Sequence, residues 1–545
     1  MEKYSPMMQN YLKTKENYPD AIVFYRLGDF YEMFFDDAKV ASNELNLVLT
    51  GKQAGVEDRV PMCGVPHHAV NNYLNKLVSR GYKVAIVEQL EDPKTAKGIV
   101  KRDVVRVVTP GTIMDEEGKS TVFISSVIDY QYGYAFAMCE MSTGETYLKN
   151  INHNTTALLQ ELLKDGIREI VVKENFDNKV IMAIRELGSV VISYCDATEI
   201  EERYLPLIEN IKEHYYLSAY GMLLNYLSAT SKRMLDHLRP VILDNDDQYL
   251  QMDYSTRINL EITEPARSAS RSMTLWQFLD HTQTAMGARL LKRWLEKPLI
   301  NKEDITERQE AISYLKSHFA IRSDLKEQLS QIYDIERLIA RVAYGNANAV
   351  DGLRLSKSLN VLPEIFKLLK DMPAFTSIHN IDLCSDLQKK LENAFVDNPP
   401  ISTKEGGMFV DGYNEQLDEY RLVQRNSKKV IAEMEAQERE KTGIRTLKVG
   451  YNRVFGYYFE VSKSFINQIP QEEGYIKKQT LVNAERFITP ELKEKEDVIL
   501  HAEERAVGLE EELFNALITE MKRYLPKLQK IAEVVSLIDV LYSLS

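Results

Sequence analysis

Residues 24–38, FYRLGDFYEMFFDDA, decide how the first part of this chain folds. Six aromatic residues (Phe24, Tyr25, Phe30, Tyr31, Phe34 and Phe35) crowd around one Gly-Asp turn at Gly28 and Asp29. Glu32 sits among them, and a carboxylate inside an aromatic cluster is costly unless something meets it. On an extended strand Phe30 and Glu32 are two apart and leave one face, while Tyr31 points the other way into a core. The pair therefore offers a flat apolar ring and an acceptor to a common target. A DNA base step matches it, since a phenyl ring can wedge against a step and a carboxylate can meet a base-edge donor. The plainer reading makes Phe30 core and pairs Glu32 with Arg26 or a nearby lysine, and the chemistry of these residues alone favours it.

Outward from this stretch, AIVFYRLG, YKVAIVEQ and DVVRVVTPGT read as strands, with helices over DDAKVASNELN and HHAVNNYLNKLVSRG. MDEEGKS is an exposed linker, and a second α/β unit follows with strands in TVFISSVID, GYAFAMCEMSTGETYL, REIVVKE and GSVVISY. From about residue 205 to 395 the periodicity is almost purely helical.

A long helix is predicted from Asn414 to Lys441, an arm of roughly 42 Å at about 1.5 Å per residue. Its apolar positions Leu417, Tyr420, Val423, Val430, Ile431 and Met434 make a narrow stripe. A partner stripe returns at Leu492, Ile499, Ala502, Ala506, Leu509 and Leu513, so two helices should run out and back against each other. Between them, RTLKVGYNRVFGYYFEVSKSF alternates like a β-hairpin. Asn452, Arg453, Lys477, Lys478, Asn483 and Arg486 offer donors suited to a phosphate backbone. The final helix, IAEVVSLIDVLYSLS, is expected to leave Leu541 and Leu544 exposed.

The net charge of −13 argues against indiscriminate polyanion binding by the whole surface. Two basic islands stand out against it. Lys94, Lys97, Lys101, Arg102 and Arg106 face Asp103 alone, and residues 445–490 carry seven basic side chains against four acidic. The four cysteines are scattered without ligand spacing, which predicts a reducing cytosol and no structural zinc. No apolar run reaches membrane-spanning length. EEGKSTVF is not a P-loop, because the glycine required five residues before Gly118 is Ile113.

FYRLGDFYEMFFDDA, PMCGVPHHAVNNYLNKLVSRGYKVAIVEQLEDP, KRDVVRVVTPGT, LDHTQTAMGARLLKRWLEKPL, LKVGYNRVFGYYFEVSKS and KQTLVNAERFITPELKEKED together resemble the bacterial MutS family of DNA mismatch repair proteins, in order along essentially the whole chain. The resemblance implies a multidomain α/β plus all-α protein. Its parts would be a mixed-sheet mismatch-recognition domain (1–112), an RNase H-like connector (119–238), a helical core with long lever helices (245–425 and 492–545) and a small β-rich clamp (426–491). It implies that Phe30 inserts from the minor groove and stacks on a mispaired or unpaired base while Glu32 hydrogen-bonds it. Met62, Lys101, Arg102 and Arg106 would line the groove and backbone nearby.

By the same likeness the partners are double-stranded DNA with mismatches or small loops, MutL, and a second copy of the full-length protein, in the bacterial cytoplasm. The family continues into an ATPase domain, and this sequence stops before it. ATP and Mg²⁺ are therefore expected outside these residues, with no cofactor, metal or catalytic residue within them. Two other classes of function compete: a metal-dependent nuclease using Asp129, Glu140 and Glu145 of the connector, and a helical protein-interaction scaffold.

Overall fold

The computed structural model describes residues 4–91, 100–113, 121–244, 248–266, 274–372, 381–452, 456–470 and 474–545, without the side chains of 427–428 and 498–500. Lys94, Lys97, Arg453, the whole linker MDEEGKS (114–120) and the Ile499 side chain thus lie outside the described residues. Two compact units emerge: Met1–Asn346 with Val361–Leu383 and Leu525–Ser545, and Ala347–Asn360 with Cys384–Tyr524.

In the first unit, β1 (Ala21–Leu27), β2 (Phe30–Phe34), β3 (Thr50–Lys52), β4 (Val60–Pro66), β5 (Lys83–Gln89) and β6 (Arg102–Val108) form a mixed sheet in the order β3-β4-β2-β1-β5-β6. The Gly-Asp turn joins β1 to β2 with Leu27 opposite Phe30. Gly28 sits at φ +58°, a left-handed conformation that a side chain would resist. Both faces of this sheet are covered. Helix Pro6–Asn17 packs Met8 and Tyr11 against Val23, Tyr25, Phe34, Ala85 and Val87 on one side. Helices Phe35–Leu45 and Val70–Ser79 pack against Phe24, Tyr31, Met33, Val65 and Ile86 on the other.

The second sheet uses β7 (Phe123–Asp129), β8 (Gly133–Glu140), β9 (Glu145–Asn152), β10 (Ile167–Val172), β11 (Val191–Tyr194) and β12 (Ile242–Leu243) in the order β11-β10-β7-β8-β9-β12. β7, β8 and β9 form an antiparallel meander, and β10 and β11 add in parallel. Helix His214–Ser231 covers one face with Ala219, Tyr220, Met222, Leu223 and Leu227. The helical periodicity that begins near residue 205 therefore opens inside this sheet's own layer.

A buried ionic network ties the sheet to the helices beyond it. Arg289 and Arg293 lie one turn apart on helix Ala285–Glu296. Arg289 bonds Asp334 at 2.7 Å and Glu336 at 2.6 Å, Arg239 bonds Glu336 at 3.0 Å and Glu145 at 3.3 Å, and Arg293 pairs with Glu145. Breaking one member would strand a buried charge, a change that costs about 3–5 kcal/mol.

The final helix, Leu525–Ser543, corrects an expectation: Leu541 is buried and Leu544 half-buried. The helix packs on Ala285–Glu296, Lys302–Ser317 and Ile335–Tyr344, which consumes its apolar faces. Asp539 fixes the contact by accepting from the backbone N–H groups of Gln283 at 2.9 Å and Thr284 at 2.7 Å.

In the second unit, helices Glu415–Thr442 and Pro490–Lys522 pack against each other, and each carries a side-chain cap at its start. Asn414 Oδ1 accepts from the Leu417 N–H and Thr489 Oγ1 from the Leu492 N–H. Leu417, Met434, Leu492, Ala502 and Ala506 are buried, whereas Val423 is exposed. Residue 426 falls inside an unbroken helix.

At the ends of these helices β13 (Lys448–Asn452), β14 (Gly456–Ser462), β15 (Ile476–Thr480) and β16 (Ala484–Ile488) form an antiparallel sheet in the order β13-β14-β16-β15. Leu447, Phe459, Val461 and Phe487 close a small core with Met434, Ile444 and Leu492.

Candidate nucleic-acid interface

Register brings several of the sequence-predicted residues together. Glu32 lies opposite Tyr25 and Gly64, Phe30 opposite Leu27 and Pro66, and Phe34 opposite Met62. Directly paired residues share a sheet face, so Phe30, Glu32 and Met62 emerge together. Tyr31 leaves the other face and is buried. Phe30 is 47% exposed at the end of its strand, although the sheet behind it is covered on both faces. It is not a core residue.

Glu32 is met by Lys52, a neighbour on β3 whose Nζ also lies 5.6 Å from the Phe34 ring centroid. The half of the plainer reading that gives the carboxylate a lysine is thus realised, while the half that buries Phe30 is not. Lys52 was absent from the sequence-based candidates. It lies 20 residues from Glu32 along the chain and reaches it only through the pairing of β3 with β4 and of β4 with β2.

The basic strand divides. A bulge at Val105 shifts β6 against β5: Ile86 faces Arg106, but Val87 faces Val104 and Gln89 faces Arg102. Arg102 and Arg106 are four apart and would share a face on a regular strand; the extra residue reverses their parity. Arg102 stays on the Phe30 face, packed 5.5 Å from the Tyr25 ring centroid, and donates to the Arg26 carbonyl at 3.0 Å. Arg106 leaves the opposite face and lines a cavity, with Nη2 donating to the Thr112 carbonyl at 3.2 Å. It therefore does not line a groove beside Phe30. Lys101 is exposed at the strand entrance.

At the tip sheet the cations are unequal. Arg486 bonds Glu460 at 3.0 Å and Gln479 at 2.8 Å and stacks 4.3 Å over Tyr458. It is a cross-strand staple, with only 18% of its side chain exposed. Lys477 pairs with Glu485 at 2.6 Å yet stays half-exposed. Lys478 is the bulged residue, since Lys477 faces Phe487 and Gln479 faces Arg486. The bulge keeps Lys478 from lying directly opposite Arg486, and it is exposed with no ion pair among the described residues. Asn452 ends β13 opposite Gly456, and Asn483 is exposed in the turn before β16.

Of the connector carboxylates, Glu140 and Glu145 are paired across β8 and β9, but Asp129 is remote from both. Asp129 pairs with Tyr134 and Phe123 with Glu140, so Asp129 and Glu140 stand at opposite ends of the β7–β8 ladder, about 20 Å apart at roughly 3.3 Å per residue. Asp129 is bonded to His153 at 3.1 Å. Glu140 is buried and accepts from Ser142 and Thr143. Burial would raise the Glu145 pKa, but Arg293 and Arg239 hold it down to about 2. That carboxylate is already neutralised by two guanidiniums, which removes the geometric basis for a nuclease. Among the described residues no group of three or more His, Cys, Asp or Glu side chains could hold a metal ion, and no helix is long and apolar enough to cross a membrane.

Comparison with known proteins gives three consecutive family matches: MutS domain I over residues 5–117, MutS domain II over 122–239 and MutS domain III over 255–545. The DNA mismatch repair protein MutS of Bacillus cytotoxicus is 46% identical over 550 residues, covering 100% of this chain and 61% of the relative. Those of Bacillus cereus and Bacillus thuringiensis are also 46% identical, with 100% of this chain and 62% of each relative covered. The chain thus spans about three fifths of the length of these curated relatives.

Proposed function

The chain belongs to the MutS family of DNA mismatch repair proteins, and from that premise we propose that it recognises mismatched or unpaired bases in duplex DNA to initiate repair. Phe30 enters from the minor groove and stacks on the faulty base. A mispaired step is cheaper to unstack and kink than a paired one, so deformability supplies much of the discrimination. Glu32 accepts a hydrogen bond from the base, exchanging Lys52 for it. A carboxylate near phosphates opposes binding, and its role is recognition. Met62, Arg102 and Lys101 flank this face. Lys478, Lys477, Asn452 and Asn483 contact the backbone from the tip sheet.

The observation that carries this reading is the exposed phenyl ring of Phe30 beside a half-buried carboxylate, at the rim of a sheet covered on both faces. We divide the roles as recognition (1–112), an RNase H-like connector that receives MutL (119–238), core and levers (245–425 and 492–545) and clamp (426–491). The meander of β7, β8 and β9 followed by parallel β10 and β11 supports the RNase H-like description. ATP hydrolysis and most self-association are assigned outside domains I to III, so this chain alone turns over no ATP. The test is a titration of a G·T duplex against its matched control, with and without Mg²⁺. Preferential binding to G·T without strand cleavage supports the proposal; equal affinity for both duplexes overturns it, and cleavage would restore the nuclease.

A further inference from the structure

The bulge that turns Arg106 away from the Phe30 face delivers it into a cavity of about 270 Å³. On one side of this cavity are Tyr31, Leu74, Ile86 and Val105; on the other are Thr230 and Ser231 at the end of helix His214–Ser231, Arg233 just after it, and Tyr344. Among the described residues the Arg106 guanidinium has one hydrogen bond, to the Thr112 carbonyl. Arg233 bonds the Tyr344 carbonyl and the Asn346 side chain. Neither guanidinium meets a carboxylate among the described residues.

The cavity's carboxylate, Glu88, accepts from the Tyr31 hydroxyl and lies 4.0 Å from Arg26, so its charge is already answered. Burial lowers the Arg106 pKa; the Tyr344 phenol offsets this in part, and the neighbouring positive charge of Arg233 adds to it. The two guanidiniums thus line one cavity, and neither is paired with a carboxylate among the described residues. Such an arrangement is unfavourable when empty and is relieved by an anion.

We propose that this cavity is a binding site for a phosphate monoester with a flat apolar body, of nucleoside monophosphate size, held through its phosphate by Arg106 and Arg233. Guanidiniums bind phosphate through forked N–H donors, which Arg106 and Arg233 both bring to the cavity. The wall of Leu74, Ile86 and Val105 is apolar, which favours an ester over a bare ion. The site lies on the sheet face opposite Phe30 and Glu32, so it does not rest on the mismatch-reading proposal.

Isothermal titration of the full 545-residue chain with thymidine monophosphate, beside inorganic phosphate and sodium sulfate, tests this. Saturable binding of the nucleotide is expected, at least tenfold tighter than phosphate or sulfate. Arg106→Gln and Arg233→Ala should each weaken it at least tenfold, and Phe30→Ala should leave it unchanged. Arg233 is exposed, so Arg233→Ala keeps the test informative even if Arg106→Gln fails to fold. Absence of saturation at 10 mM, on the order of the weak end of small-ligand affinities, would overturn the proposal. So would equal affinity for inorganic phosphate, or nucleotide binding that survives in a folded Arg233→Ala variant.

Discussion

The recognition sheet and the tip sheet both place charged and aromatic side chains where DNA could reach them, but they are built on different plans. The first has a core on each face, and its candidate reader is a ring at the strand end with one carboxylate held by one lysine. The second has one small core and one open face, on which Lys448, Glu460 and Arg486 line up across three strands. Reading a base needs one side chain held in one place, and two packed layers hold it. Gripping a backbone needs charge more than position, and a sheet solvated on one face suffices. Lys477 and Arg486 are nonetheless ion-paired within the protein, so the free cations there are fewer than their number in the sequence suggests.

The largest expected effect separates the two units by stability. His237 is buried, and its Nε2 lies 2.9 Å from the Met141 carbonyl. Burial pushes its pKa down to about 4. The folded state therefore resists a proton that the unfolded chain accepts near pH 6.5. The stability is complete above that value and is lost as pH falls towards 4, up to about 3 kcal/mol. Both tryptophans, Trp276 and Trp294, belong to the unit with the recognition sheet, so denaturant titrations followed by their fluorescence at pH 7 and pH 4.5 report it. His237→Gln should flatten the dependence; an unchanged slope would show that other groups dominate.

Next in size is Phe30→Ala. Stacking of a base on an aromatic ring contributes about 1–3 kcal/mol, so G·T binding should fall roughly ten- to a hundredfold towards the matched duplex. The melting temperature should stay within about 1 °C, because an exposed substitution away from special features has a small effect. Equal losses on both duplexes with a lowered melting temperature would make Phe30 structural and erase the contrast between the sheets.

At the tip, Lys477→Ala with Lys478→Ala should weaken binding to any duplex and lower the slope of log K against log salt. Each phosphate contact contributes about 0.9 to that slope. Lys477 is already paired with Glu485, so the expected change is nearer one unit than two. No change in slope would remove the tip sheet from the interface.

The smallest effect is expected for Glu32→Gln. The amide keeps an acceptor and removes a negative charge near phosphates, so both duplexes should bind a fewfold tighter, with discrimination reduced by less than about tenfold. Anisotropy titrations at two salt concentrations check this. A loss of affinity on both duplexes would mean that the Glu32–Lys52 pair holds the sheet together instead of waiting for a base.

Local patterns determined a great deal in this protein. Strand alternation put Phe30 and Glu32 on one face and Tyr31 on the other, and apolar stripes marked the two long helices Glu415–Thr442 and Pro490–Lys522. The order of motifs along the chain carried the family likeness. These features depend on neighbours within a few residues, which a sequence displays directly. Tertiary structure alone decided the rest. It supplied Lys52 for Glu32 across two strand pairings, tied Arg486 to Glu460 and Gln479, and buried Leu541 under distant helices. It also sent Arg106 through the sheet, because one extra residue at Val105 inverts the parity of every side chain beyond it. A period of two is legible in sequence, but the point at which a partner strand interrupts it is fixed by pairing between residues far apart in the chain.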